Sequence, residues 1–130
     1  MFLEHVNLTV SDLDRSVDFY CALLGLRVRW RRDADGDLTG AAHVGDHRHY
    51  IAMFQAKTDT GRPTPNYDAV GLNHFGFVVD DLDAVRDRLG SLGVTPHSEA
   101  DYEPGRRLYF FDPDGIEVEL VQYETAPAPA

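Results

Sequence analysis

At 130 residues, 43% hydrophobic and 26% charged, the chain is long enough for one compact domain with a single core and has an ordinary soluble globular make-up. A formal net charge of −10 repels nucleic acid and anionic membranes, and no apolar run is long enough to span a bilayer. The one cysteine, Cys21, allows no internal disulfide, and residues 1–5 lack the basic and apolar regions of a signal peptide, so a cytoplasmic protein is expected.

Residues 2–10 alternate: Val6, Leu8 and Val10 point one way, His5, Asn7 and Thr9 the other. Ser11 or Asp12 can cap a helix whose stripe is Leu13, Val17, Tyr20 and Leu24, with Gly25 as its left-handed stop; Cys21 reads as a packing residue of that helix. Strands follow at about 26–32, 38–45 and 48–55, with turn signals at Asp35-Gly36 and Gly45-Asp46. Residues 56–70 lack periodicity and hold Pro63 and Pro65, which reads as a linker long enough to form a flap over a site. A strand at 71–79 leads to a second helix stripe, Leu82, Val85, Leu89 and Leu92, ended by Gly93. A short strand near 94–99, a strand from Arg107 to Phe111, the turn Asp112-Pro113-Asp114-Gly115 and a last strand at 116–123 complete the chain, followed by a tail at 124–130 expected to be disordered.

The second half repeats the first. Leu3 to Asp14 aligns without a gap on Leu72 to Asp83, so that His5 falls on His74, Val10 on Val79 and Asp12 on Asp81. Each half, about 2–55 and about 71–123, is a β-α-β-β-β unit with one histidine at the same place on its first strand. In the last strand Ile116, Val118 and Leu120 take the apolar face, and Glu117, Glu119 and Val121 the other. Two histidines and one carboxylate on inward-facing strand positions would supply a divalent metal site, and alternation alone does not choose between Glu117 and Glu119. The repeat aligns residues 51–55 with 118–122, so Glu119 is matched by Ala52. The symmetric fourth donor position is empty, and three ligands with open positions is the arrangement of a catalytic metal.

The duplication, the His-x-x-x-x-Val-x-Asp-Leu form at His5–Leu13 and at His74–Leu82, and residues 109–120, from Tyr109 through Asp112-Pro113-Asp114-Gly115 to Glu119, resemble the vicinal oxygen chelate superfamily. That group holds glyoxalase I, extradiol dioxygenases, fosfomycin-resistance thiol transferases, methylmalonyl-CoA epimerases and bleomycin-binding proteins. The resemblance spans nearly the whole chain. It implies an α+β fold of two βαβββ modules forming an incompletely closed mixed β-sheet barrel with helices outside, usually in a homodimer whose sites are at times built from two chains. It also implies His5, His74 and Glu119 as ligands of Fe2+, Mn2+, Ni2+ or Zn2+, and Tyr109 as a catalytic hydroxyl near a small substrate bound through vicinal oxygens.

Around that set, Asn7, Trp30, His49, Phe54 and Arg107 are candidate substrate-binding residues. Arg106-Arg107 could hold a substrate carboxylate, though two surface arginines is the plainer reading. His43, His47 and His49 read as a polar face of a hairpin, Glu117 as a solvated or rim charge, and Gln55 and Gln122 as a symmetric structural pair, with a metal-reaching role for Gln55 left open. Ala52 argues against the four-ligand glyoxalase I type, and Glu103-Pro104-Gly105-Arg106 lacks the serine-rich loop usual in fosfomycin transferases. The expectation is therefore a metal-dependent enzyme with an extradiol-dioxygenase-like triad. A non-catalytic drug- or metabolite-binding dimer is the first alternative, and a glyoxalase I-like lyase or epimerase the second.

Overall fold

The computed structural model describes residues 1–59, 61, 67–102 and 105–124. It divides into two compact units, Met1–Gly61 and Arg62–Ala130. The first contains β1 (His5–Val10), α1 (Leu13–Leu24), β2 (Arg27–Arg32), β3 (Ala41–Gly45) and β4 (Tyr50–Gln55). The second contains β5 (His74–Val78), α2 (Leu82–Ser91), β6 (Ser98–Tyr102), β7 (Gly105–Phe111) and β8 (Glu117–Tyr123). Each sheet is mixed: β1-β4-β3-β2 in one unit, β5-β8-β7-β6 in the other, with β1–β4 and β5–β8 parallel and the remaining pairs antiparallel. These are the two βαβββ modules of an α+β protein. Among the described residues no helix is long and apolar enough to cross a membrane.

The helices begin alike because both halves carry the same local chemistry. The Asp12 side chain accepts from the N–H of Arg15 at 3.1 Å, and that of Asp81 from Ala84 at 3.0 Å, filling donors that a helix start leaves open. A second tether comes from the far strand: the Gln55 carboxamide oxygen accepts from Leu13 N–H and that of Gln122 from Leu82 N–H, both at 2.8 Å. Gln55 also donates to the Ser11 carbonyl at 2.7 Å. Both ends of this carboxamide are therefore spent on the start of α1 and the residue just before its cap, which makes Gln55 structural rather than a metal donor.

The alternating strands put their apolar sides under the helices. Leu8, Val10, Val44, Ile51 and Met53 are buried in the first unit together with Val17, Tyr20 and Leu23 of α1. In the second unit Leu108, Phe110, Val118 and Leu120 are buried with Leu82, Val85 and Leu89 of α2. The sheet faces that carry the polar and aromatic residues are thereby left for chemistry.

Several boundaries differ from the sequence reading. The strand expected at 38–45 begins at Ala41, since residues 35–38 close a small turn by an isolated Asp35–Leu38 bridge. The strand expected near 94–99 lies at Ser98–Tyr102, where the antiparallel ladder with β7 offsets a weak strand sequence. α2 ends at Ser91, two residues before Gly93, which is left-handed at φ 80°. The linker reading of 56–70 falls partly on residue 60 and residues 62–66, and the tail reading on residues 125–130. These, with Glu103-Pro104, lie outside the described residues.

An exposed ion-pair chain ties α2 to the edge of its sheet. Asp83 accepts from Arg106 at 2.8 and 3.3 Å and from Arg86 at 2.7 Å, and Arg86 reaches Glu99 at 2.7 Å. Arg106 is thus spent on Asp83. The hydrogen bonds from Arg106 and then Arg86 hold the Asp83 carboxyl down at about 2, against an ordinary 3.8. A lowered carboxyl pKa stabilises the fold above pH 3.8, and that contribution is lost as pH falls through about 2. Carboxyl-detected NMR is expected to show Asp83 titrating near 2, and Arg106→Ala to move it back toward 3.8; an unmoved titration would remove Arg106 as the cause.

Candidate functional site

The register of each parallel pair sets what meets on the open face. In the first unit His5 stands opposite Tyr50 and Asn7 opposite Ala52; in the second, His74 stands opposite Glu117 and Gly76 opposite Glu119. Across the next antiparallel pair, His43 faces Ala52 and Tyr109 faces Glu119. Equivalent positions therefore read Tyr50 for Glu117, Ala52 for Glu119 and His43 for Tyr109. One sheet face carries two acids where the other has a ring, Tyr50, and a methyl group, Ala52.

On the second unit the polar face is dense. Glu119 lies across from Gly76; a Cβ there would come to 3.2 Å from the Glu119 carbonyl oxygen and 3.4 Å from its carboxylate Oε2, so the missing side chain gives the carboxylate its room. Tyr109 donates its hydroxyl to Glu119, and this bond, then burial, raises the phenol above its ordinary 10. Arg107 Nη1 is 3.5 Å from Glu119 Oε1, and its guanidinium lies 4.9 Å from the centre of the Tyr102 ring. The His74 ring meets Tyr109 edge-on at 5.5 Å. His74, Glu119, Tyr109 and Arg107 thus share one sheet face.

Three residues not expected at the site complete it. Glu117 is only 4% exposed, which corrects its reading as a solvated or rim charge. The Tyr67 hydroxyl donates to Glu117 Oε1 and lies 3.3 Å from His74 Nδ1. His97 Nε2 is 3.0 Å from Glu117 Oε2, and its ring stacks on Phe111 at 4.4 Å. Burial, and secondarily the charge of Glu119, pushes the Glu117 carboxyl up from its ordinary 4.5. Alternation put Glu117 on the same face as Glu119; nothing in the periodicity marks Tyr67 or His97.

The first unit carries a row of rings. His5 stacks on Tyr50 at 4.8 Å, Tyr50 on His43 at 4.5 Å, and His43 leans on Trp30 at 4.8 Å. Arg29 lies 4.6 Å over Tyr50. Trp30 is 44% exposed, and Phe54 is open on the same side of the sheet as Asn7. Glu4 accepts from His5 Nδ1 at 2.9 Å and from the Tyr50 hydroxyl at 3.1 Å, and these bonds lower its carboxyl pKa. His47 and His49 are not on a strand at all. They occupy the turn before β4, where His49 N–H donates to Asp46 and its ring meets Phe2, so His49 does not join the ring row.

Among the described residues, no group of three or more His, Cys, Asp or Glu side chains is gathered that could hold a metal ion. The chemistry of the donors nonetheless fits a divalent cation. Each strand histidine has Nδ1 turned to an acid or to a tyrosine that serves one; with the proton on Nδ1, Nε2 would keep the lone pair a metal needs.

Residues 2–120 match the model of the glyoxalase/bleomycin resistance protein/dioxygenase superfamily. The chain belongs to that superfamily. It is 32% identical over 130 residues to a probable lactoylglutathione lyase of Synechocystis sp., covering 94% of this chain and 95% of that one. It is 34% identical over 125 residues to the glutathione transferase FosA of Serratia marcescens, covering 91% and 78%. Among solved structures it is similar to a glyoxylase/bleomycin resistance protein/dioxygenase domain from Frankia sp. EAN1pec, with a TM-score of 0.78, 27% identity and coverage of 98% and 95%. The duplicated βαβββ unit of this superfamily member is the feature on which its sequence and its sheet topology agree.

Proposed function

We propose that this protein is a metal-dependent enzyme that takes a small substrate through two adjacent oxygens, with His5, His74 and Glu119 as the metal ligands. The observation that carries this reading is the matched contact of the two strand histidines, each with Nδ1 engaged by an acid or a tyrosine, an arrangement that would free Nε2 to coordinate. The cation would be Fe2+, Mn2+, Ni2+ or Zn2+, and when bound it would supply Lewis acidity or, as Fe2+, an oxygen-binding site. The fourth symmetric position is Ala52, and Gln55 is spent on α1, so the donor set favours three ligands over four.

The other residues take roles their contacts support. The Tyr109 hydroxyl holds a proton against Glu119 and can donate it to a substrate oxygen. Arg107 offers positive charge beside the same carboxylate. Trp30 and Phe54 present aromatic surface and Asn7 a carboxamide to the substrate; the dioxygenase-like lean rests on the three-ligand set with Tyr109, and the ring row suits a planar aromatic diol. The partners proposed are that small molecule and a second copy of the chain.

The test is metal analysis of protein purified without added metal, followed by oxygen uptake with catechols under metal reconstitution. About one metal per chain and oxygen consumption support the full reading. Metal without oxygen uptake, but with turnover of thiol adducts of methylglyoxal or of epoxides, moves the reaction class to a lyase or transferase. The exposed rings also favour a second reading, a binding module for aromatic ligands. Ligand binding unchanged by chelation, with no metal retained or taken up, would establish that reading in place of the first.

A further inference from the structure

We propose that Glu117 is a positioning residue for His74: acting through the Tyr67 hydroxyl and anchored by His97, it fixes the imidazole as the Nδ1–H tautomer and leaves Nε2 to coordinate. This rests on the metal-dependent reading of the site above. The geometry begins with His74 Nδ1, which lies 3.3 Å from the Tyr67 hydroxyl and 3.5 Å from Glu117 Oε1. Tyr67 donates to that same oxygen, so its own lone pair is turned to the ring, and a hydroxyl placed so accepts from Nδ1–H. The other oxygen, Oε2, is taken by His97 Nε2 at 3.0 Å, and His97 is itself fixed by stacking on Phe111 and by its backbone N–H to the Tyr109 carbonyl at 2.9 Å. Both carboxylate oxygens are therefore committed.

The cost of burying this acid argues for a purpose. A carboxylate 4% exposed on a sheet face is expensive unless its oxygens are bonded, and here tyrosine and histidine bond them. Comparison of the halves sharpens the point. His5 has the same kinds of partner in a more exposed setting: its Nδ1 lies 2.9 Å from Glu4, and the Tyr50 hydroxyl donates to the same oxygen. Yet the parts are not equivalent by descent from the repeat. Glu4 aligns with Asn73, and Tyr50 occupies the place of Glu117. Two modules have reached one arrangement, an acid and a phenol behind Nδ1, with different residues. A shared demand on the imidazole explains this; inheritance does not.

The test uses the 15N-labelled, metal-free 130-residue chain at a pH where the imidazoles are neutral, with long-range 1H–15N correlation on His74, and Zn2+ titration of the same samples. The wild-type ring is expected to show Nδ1 protonated and Nε2 bare. Glu117→Ala should mix the tautomers and weaken Zn2+ binding about 10–100-fold, with one ion per chain still reached at saturation, and Glu117→Gln, which keeps an acceptor oxygen, should recover most of the loss. Tyr67→Phe removes one oxygen from an exposed ring and should shift His74 in the same direction; it carries the test if Glu117→Ala fails to fold. An unchanged tautomer in both variants overturns the proposal. So does complete loss of Zn2+ sites in Glu117→Gln, which would make Glu117 a ligand. If wild-type protein takes up no divalent metal, the metal-dependent reading falls, while the tautomer measurement still decides the role of Glu117.

Discussion

Glu119→Gln is expected to weaken divalent metal binding by more than about 100-fold, beyond the 10–100-fold typical of changes behind a ligand. The expectation follows from position. Glu119 and Glu117 are two residues apart on one strand and face the same way, but their oxygens are used differently. Glu117 spends its pair on Tyr67 and His97, behind the ring of His74. Glu119 is held by Tyr109 and Arg107, two groups that a substrate can draw away or a cation can displace, and it occupies the space left by Gly76. Calorimetric Zn2+ titration of the two glutamine variants in parallel measures the difference. A loss in Glu119→Gln no larger than in Glu117→Gln would move the ligand to position 117. Gly76→Ala approaches the same point from β5: its new methyl meets the Glu119 backbone and carboxylate at 3.2–3.4 Å, so the acid must shift, and metal binding should weaken without loss of the fold.

The features legible in the amino-acid sequence are those that repeat or alternate. The gapless match of Leu3–Asp14 to Leu72–Asp83 implied the duplicated unit, and the register His5–Tyr50 against His74–Glu117 has the symmetry that match required. Period-two alternation sorted Glu117 and Glu119 from Val118 and Leu120. Alternation says which face a side chain takes, however, and not what covers that face. The burial of Glu117 depends on Tyr67, 50 residues earlier, and on His97, so no local pattern could reveal it. The histidines at 47 and 49 misled for the opposite reason: they keep a two-residue spacing inside a turn, where spacing carries no facial meaning. For β6, Glu99 and Asp101 hid a strand whose existence depends on its partner β7 rather than on its own residues.

Phe110→Ala should cost about 3–5 kcal/mol and lower the melting temperature by roughly 10–20 °C. Phe110 is fully buried on β7, in register with the equally buried Val118 of β8, and Leu108 and Leu120 continue the same apolar layer. An alanine there removes a ring from close-packed surroundings, and neighbours held in a strand ladder have little freedom to collapse into the space. Phe54→Ala is the matched control. Its ring lies on the open face of β4, so the melting temperature should move by no more than a few degrees while binding of an aromatic ligand weakens. Thermal unfolding of both variants, with amide exchange to localise the loss to β5–β8 and α2, measures the pair. A fall of only a few degrees in Phe110→Ala would mean that the layer under α2 is not a packed core. The open face would then lose the rigid support that a fixed metal geometry requires, since a ligand set is only as well placed as the strands beneath it.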